Sequence, residues 1–252
     1  MIKRILFWSL LPLGVPQGLL LRRNAPRFGA APGETFGVVG KGKRISLVAI
    51  GDSIVEGVGG GRADNALAGA TAKHLARILE AEISWQAVGK IGATSLRVLK
   101  ELVPLLSKNP VDIFVVSVGV NDVTSLSRTG RWNDNLTNLL KSLRAHTPKA
   151  TIVMVGVPPF EGFPLLPKIL QLAFGMRGKS FDAVARQIIQ QMEGVIHVPL
   201  DFDPQPEKFS ADGYHPNAES YSEIGLAVAK AIAAKPSFSL NPRLELFKNS
   251  SR

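Results

Sequence analysis

The sequence predicts an α/β fold with a five-stranded parallel sheet covered on both faces by helices. Two observations carry the prediction. Five short, largely apolar runs lie between residues 45 and 200, and those at 45–51 and 111–119 have the pattern of strands buried on both faces. Segments with helical spacing separate them, as the crossovers between parallel strands require. The chain of 252 residues is long enough for one such domain. It contains no cysteine, which excludes disulfides, thiolate nucleophiles and cysteine-based zinc sites.

The elements follow in order. "ISLVAIG" (45–51) is the first strand, with no polar alternation. Residues 63–82 have helical spacing, with Leu67, Ala70, Leu75, Ile78 and Leu79 on one broad face. "ISWQAVG" (83–89) is the second strand, and residues 96–107 are a helix carrying Leu99, Leu102, Val103 and Leu106. "VDIFVVSVG" (111–119) is the clearest buried strand, and residues 132–146 are a helix with Pro148 just past its end. "TIVMVGV" (151–157) is a fourth strand, stopped by Pro158 and Pro159. An apolar, Pro-rich insertion follows over 158–179, with a short helix expected at 165–174. A helix at 181–192, the strand "VIHVPL" (195–200) and a helix at 218–234 complete the domain.

The formal net charge of +10 is unevenly spread. Residues 1–44 carry +7 and residues 235–252 carry +3, while residues 45–234 hold 18 basic and 18 acidic residues. A nucleic-acid-binding domain concentrates basic charge on its folded part, so this distribution argues against such a partner. The chain divides into a hydrophobic segment (1–27), a basic linker (28–44), the α/β domain (45–234) and a basic tail (235–252). Residues 5–21 are 17 uncharged, mostly apolar residues between Lys3-Arg4 and Arg22-Arg23. That is short for a spanning helix, and Pro12 and Pro16 weaken it further. No small-residue cleavage site precedes the two arginines. The segment is therefore expected to be an uncleaved anchor or interfacial contact at a membrane surface. Heavier positive charge after it favours a cytoplasmic body; the alternatives are a secretory or periplasmic signal, or a tail packed on the domain.

In folds of this class ligands bind at the carboxyl ends of the strands. Strand one ends at Gly51-Asp52-Ser53, strand two leads into a loop with Gly92, and strand three ends at Gly119-Val120-Asn121-Asp122. After strand five come Asp212 and His215, three apart, ahead of the last helix. This set suits acyl transfer. A serine hydroxyl is a weak nucleophile until a base takes its proton, and His215 can be that base for Ser53. Asp212 is close enough in sequence to hold the other ring nitrogen of His215. The backbone N–H groups of Ser53 and Gly92 and the side-chain amide of Asn121 can serve the oxyanion.

In these blocks the chain resembles the SGNH hydrolases, or GDSL esterases and lipases. The blocks are Gly51-Asp52-Ser53-Ile54, Gly92 in "IGATS", Gly119-Val120-Asn121-Asp122, and Asp212-Gly213-Tyr214-His215-Pro216. The resemblance covers about residues 45–234, with Ile54 in place of the commoner leucine. It implies a three-layer, flavodoxin-like α/β/α sandwich and a serine ester hydrolase acting through an acyl-enzyme, without metal or cofactor. The same resemblance leaves open a lipase or lysophospholipase, an acyltransferase and a carbohydrate deacetylase. A non-catalytic, membrane-tethered binding module is the reading from another class.

Each block alone is an ordinary turn or helix cap; their shared position at strand ends, in order, is what points to chemistry. The glycines at 57–61 do not make a dinucleotide-binding turn, because G-x-G-x-x-G from Gly57 reaches Arg62. G-x-S-x-G fails at Val55. His74, His146 and His197 read as structural, and Glu56, Asp64 and Asp122 as rim or capping residues, with support of Asn121 the alternative for Asp122. The insertion at 158–179 offers Phe160, Phe163, Leu166 and Phe174 as walls of an acyl pocket or lid; packing over the sheet is the alternative.

Overall fold

The computed structural model of the protein describes residues 12, 14–21, 23, 26, 28–200, 205–236 and 238. The sheet has six strands: β1 (Phe36–Val39), β2 (Arg44–Gly51), β3 (Glu82–Gly89), β4 (Ile113–Ser117), β5 (Thr151–Val155) and β6 (Val195–Val198). Their spatial order is β1-β3-β2-β4-β5-β6. All neighbours are parallel except β1, which runs antiparallel to β3 at the edge. The five parallel strands are those expected, and their order is the doubly wound one of flavodoxin-like folds.

The sixth strand corrects the expected count. β1 is a four-residue edge strand, FGVV, with Phe36 and Val38 about 60% exposed, too short for its apolar residues to mark a strand. The linker 28–44 is accordingly part of the domain. The Ala31 N–H donates to the Glu56 carbonyl, and the Ala63 N–H to that of Pro32.

The helices are α1 (Leu67–Leu79), α2 (Ser95–Arg97), α3 (Val120–Thr124), α4 (Thr129–His146), α5 (Lys168–Gln190) and α6 (Ala218–Ala233). After α2 the chain continues in wider and then tighter turns to Leu105, where a single regular helix was expected. Strands β4 and β5 are buried throughout because each sheet face carries a core. One core packs Phe114, Val116, Ile152 and Met154 under α4 and α5. The other packs Leu47, Ala49, Val115 and Val153 under α1 and α6.

The insertion is not a separate lid. Its second half and the helix expected at 181–192 are one 23-residue helix, α5. Gly175 and Gly178, between the two expected helices, are close-approach points inside it. A Cβ on Gly175 would lie 2.4 Å from the Glu161 carboxyl carbon, and one on Gly178 would lie 2.9 Å from the Phe160 ring.

Most of residues 1–27, including 5–11, lies outside the described residues. Residues 14–21 are helical and lie along α5: a Cβ on Gly14 would meet Leu170 Cδ2 at 2.7 Å, and Leu21 packs on the core. Among the described residues, no helix is long and apolar enough to cross a membrane.

Candidate active site

Strands β2 and β4 meet at the point where the sheet order reverses, and the candidate residues gather at their carboxyl ends. Gly51 pairs with Ser117 there, so closely that a Cβ on Gly51 would sit 2.0 Å from the Ser117 carbonyl oxygen. The chain then turns tightly, with the Val55 and Glu56 N–H groups both donating to the Asp52 carbonyl. That turn holds Ser53 at the sheet edge, 8% exposed.

Ser53 Oγ lies 2.9 Å from His215 Nε2, and His215 Nδ1 lies 2.6 Å from Asp212 Oδ2. The second oxygen of Asp212 accepts the Ser210 hydroxyl at 2.8 Å and the backbone N–H groups of Tyr214 and His215 at 2.8 and 2.9 Å. Burial pushes the Asp212 pKa up, but His215 and these donors outweigh it and hold the carboxyl well below the usual range. An ionised Asp212 fixes the imidazole with its proton on Nδ1, leaving Nε2 free to accept from Ser53. The arrangement is therefore a hydroxyl, a base and an orienting carboxylate in one hydrogen-bonded line.

The expected oxyanion donors Ser53, Gly92 and Asn121 lie just after the carboxyl ends of β2, β3 and β4. Among the described residues, no acceptor takes the backbone N–H of Ser53 or of Gly92. Gly92 has φ +74°, and a Cβ built on it would meet nothing within 4 Å. Gly119, at φ +123°, starts α3, and no Cβ fits there because Val157 Cγ2 would be 2.8 Å away. Asn121 on α3 donates from Nδ2 to the Ala93 carbonyl at 3.0 Å.

Asp122 is more than a rim residue. It is fully buried, and its two oxygens accept the Ser95 N–H and hydroxyl at 2.8 and 2.6 Å. Asn121 and Asp122 thus tie α3 to the 92–95 loop and set the position of Gly92. Sequence reading missed this because Asp122 and Ser95 lie 27 positions apart. The one available signal was the loop motif itself, which runs from Gly92 to Ser95.

A cavity of about 250 Å³ opens from Ser53 and His215 along the sheet edge toward α6. Val118, Val155, Pro158, Phe163, Phe209 and Ile224 supply apolar walls. Of the four residues expected to line an acyl pocket, Phe163 does so. Phe160 and Leu166 are buried in the core, and Phe174 packs on Phe160 with ring centres 5.9 Å apart. The inward face of the insertion packs against the sheet and α5, which takes these three side chains away from the cavity.

The other histidines have local partners: His74 with Ser222, His146 with the Ser107 carbonyl, and His197 with Asp182. Asp64 pairs with Arg62 and Lys73 at the surface. No cluster of three potential metal ligands occurs among the described residues.

The GDSL-like esterase Rv1075c of Mycobacterium tuberculosis is 29% identical over 187 residues, which cover 71% of this chain and 58% of that protein. The chain therefore spans less than two thirds of the length of this curated relative. Two solved structures share the fold at low sequence identity. The family 3 carbohydrate esterase of Clostridium thermocellum is 19% identical with a TM-score of 0.58, over 83% of this chain and 100% of that one. The lipase Lip_vut3 from a goat rumen metagenome is 17% identical with a TM-score of 0.60, over 74% and 97%. A family model for GDSL-like lipases and acylhydrolases matches residues 49–222, most of the chain, and the protein belongs to that family.

Proposed function

We propose that the protein is a serine esterase that hydrolyses a carboxylic ester through an acyl-enzyme. The observation that carries this reading is the continuous line Ser53–His215–Asp212, at 2.9 and 2.6 Å. Ser53 Oγ attacks the ester carbonyl while His215 Nε2 takes its proton. The oxyanion that forms is met by the N–H groups of Ser53 and Gly92 and by the Asn121 amide. His215 then gives its proton to the departing alkoxide, so an alcohol leaves and Ser53 remains acylated. Water then attacks the acyl carbon as His215 takes its proton; the acid leaves when the acyl–Oγ bond breaks and His215 returns that proton to Ser53 Oγ.

The family and the name of the mycobacterial relative support ester hydrolysis as the reaction class. The apolar cavity beside Ser53 and His215 supports an ester with an apolar chain over one buried in a sugar. Residues 5–21 are read as an interfacial membrane contact, on the exposure of residues 14–21 among them. Val15, Leu19 and Leu20 are 45–64% exposed on a helix whose other side meets Leu170.

A fluorophosphonate probe and short p-nitrophenyl esters test the mechanism. Ser53 should be the labelled residue, and Ser53→Ala and His215→Ala should each lower kcat about 10⁴-fold or more. Labelling elsewhere, or full activity in Ser53→Ala, would refute it. Glycerol added as acceptor separates transfer from hydrolysis, since a transferase forms glycerol ester in place of free acid.

A further inference from the structure

Asp52 stands between the serine and the oxyanion amide, and the mechanism above gives it no part. Its carboxyl is 1% exposed. Oδ1 accepts the Ile54 N–H at 3.2 Å and faces the Ser117 hydroxyl at 3.5 Å, the long limit of a hydrogen bond. Oδ2 faces Asn121 Nδ2, also at 3.5 Å. A buried carboxylate with so little support is unfavourable. Burial raises the Asp52 pKa to about 7, with Asp122 on α3 adding to the rise; the Ile54 N–H and the charge of His215 oppose it. The other titratable groups that face it, Tyr214 and Tyr221, are themselves kept neutral by burial.

The Asn121 amide has two N–H bonds. One is committed to the Ala93 carbonyl. The other must serve the oxyanion, and Asp52 Oδ2 is its nearest competitor. An ionised Asp52 would draw that N–H away and set a negative charge beside the oxygen that becomes negative in the transition state. An uncharged carboxyl brings no charge and, as a weaker acceptor at 3.5 Å, steadies the amide without drawing its N–H from the oxyanion.

We propose that Asp52 is a positioning residue for the oxyanion donor Asn121, acts as an uncharged carboxyl, and switches hydrolysis off when it ionises. This rests on the esterase reading of Ser53 and Asn121. Activity then needs Asp52 protonated, so kcat falls as pH rises through its ionisation.

Two measurements test it. The first is kcat against pH for wild type and Asp52→Asn, which has nearly the same shape and never ionises. Wild-type kcat should fall about tenfold per pH unit above roughly 7, and the variant should hold its plateau into alkali. An alkaline fall of the same size in both proteins, or none in wild type, overturns the proposal. The second needs no activity and no variant. In wild-type protein labelled with ¹³C-aspartate, one carboxyl should titrate near 7, well above the ordinary value of about 3.9. Titration of every aspartate near or below the ordinary value overturns the proposal as well. Hydrolysis of no ester, with one aspartate titrating near 7, would instead refute the esterase reading and leave Asp52 an uncharged group without that role.

Discussion

Replacing Asp212 by asparagine should disable the base without unfolding the protein, and the reason lies in what each carboxylate oxygen touches. Oδ1 accepts three donors, two of them backbone N–H groups that cannot turn away. An asparagine must therefore keep its carbonyl oxygen there. Its NH₂ then takes the place of Oδ2, 2.6 Å from His215 Nδ1. A donor facing Nδ1 forces the ring proton onto Nε2, which points at Ser53, and the imidazole can no longer accept the serine proton. Loss of the working tautomer should lower kcat by about 10⁴-fold with KM little changed. Asp212→Ala differs, because it strips the acceptor from the Tyr214 and His215 N–H groups. Each orphaned group costs about 1–3 kcal/mol. Kinetics on p-nitrophenyl acetate and urea unfolding of both variants separate the effects: similar kcat losses, but a lower unfolding midpoint for alanine only. An Asp212→Asn enzyme within tenfold of wild-type kcat would refute the reasoning.

Asp212 should also leave a mark on acid stability. Its folded pKa is depressed, so its contribution is full above the unfolded value of about 3.9 and drains as pH falls toward the folded one; Asp212→Asn should flatten that slope in acid unfolding curves. Asn121→Ala should lower kcat about 10²- to 10³-fold, and a rise in KM with kcat preserved would make Asn121 a substrate-binding group instead. Gly119→Ala combines φ +123° with a Cβ 2.8 Å from Val157. It should destabilise the fold by about 1–3 kcal/mol and, by moving α3, reduce kcat; unchanged melting and activity would show that this turn is not constrained. Removing residues 1–28 should lower activity on vesicle-dispersed ester more than on a soluble one, and equal losses would remove the membrane contact. The same truncation uncovers Leu170, so a modest fall in melting temperature is expected.

The sequence by itself determined the five parallel strands, their order along the chain, and which residues stand at their carboxyl ends. Those signals are local. A strand buried on both faces is an unbroken apolar run, and Asp212 and His215 need only three positions to meet. Ser53, Gly92 and Asn121 were legible because each directly follows such a run or its loop.

Tertiary structure decided what depends on partners distant in the chain. β1 is a strand only because β3 pairs with it; its exposed Phe36 and Val38 carry no burial signature. Gly175 and Gly178 sit inside one helix, where the missing Cβ lets Glu161 and Phe160 pack close against it. The cavity runs toward α6, and the insertion's Phe160 and Leu166 turn into the core. Asp122 and Asp52 are both acids next to motif residues, indistinguishable in sequence from turn carboxylates. Only folding gives the first two hydrogen bonds from Ser95 and leaves the second buried beside Asn121 with weak partners. Periodicity shows which face of an element is buried; the cost of burying a polar group depends on the donors folding brings to it.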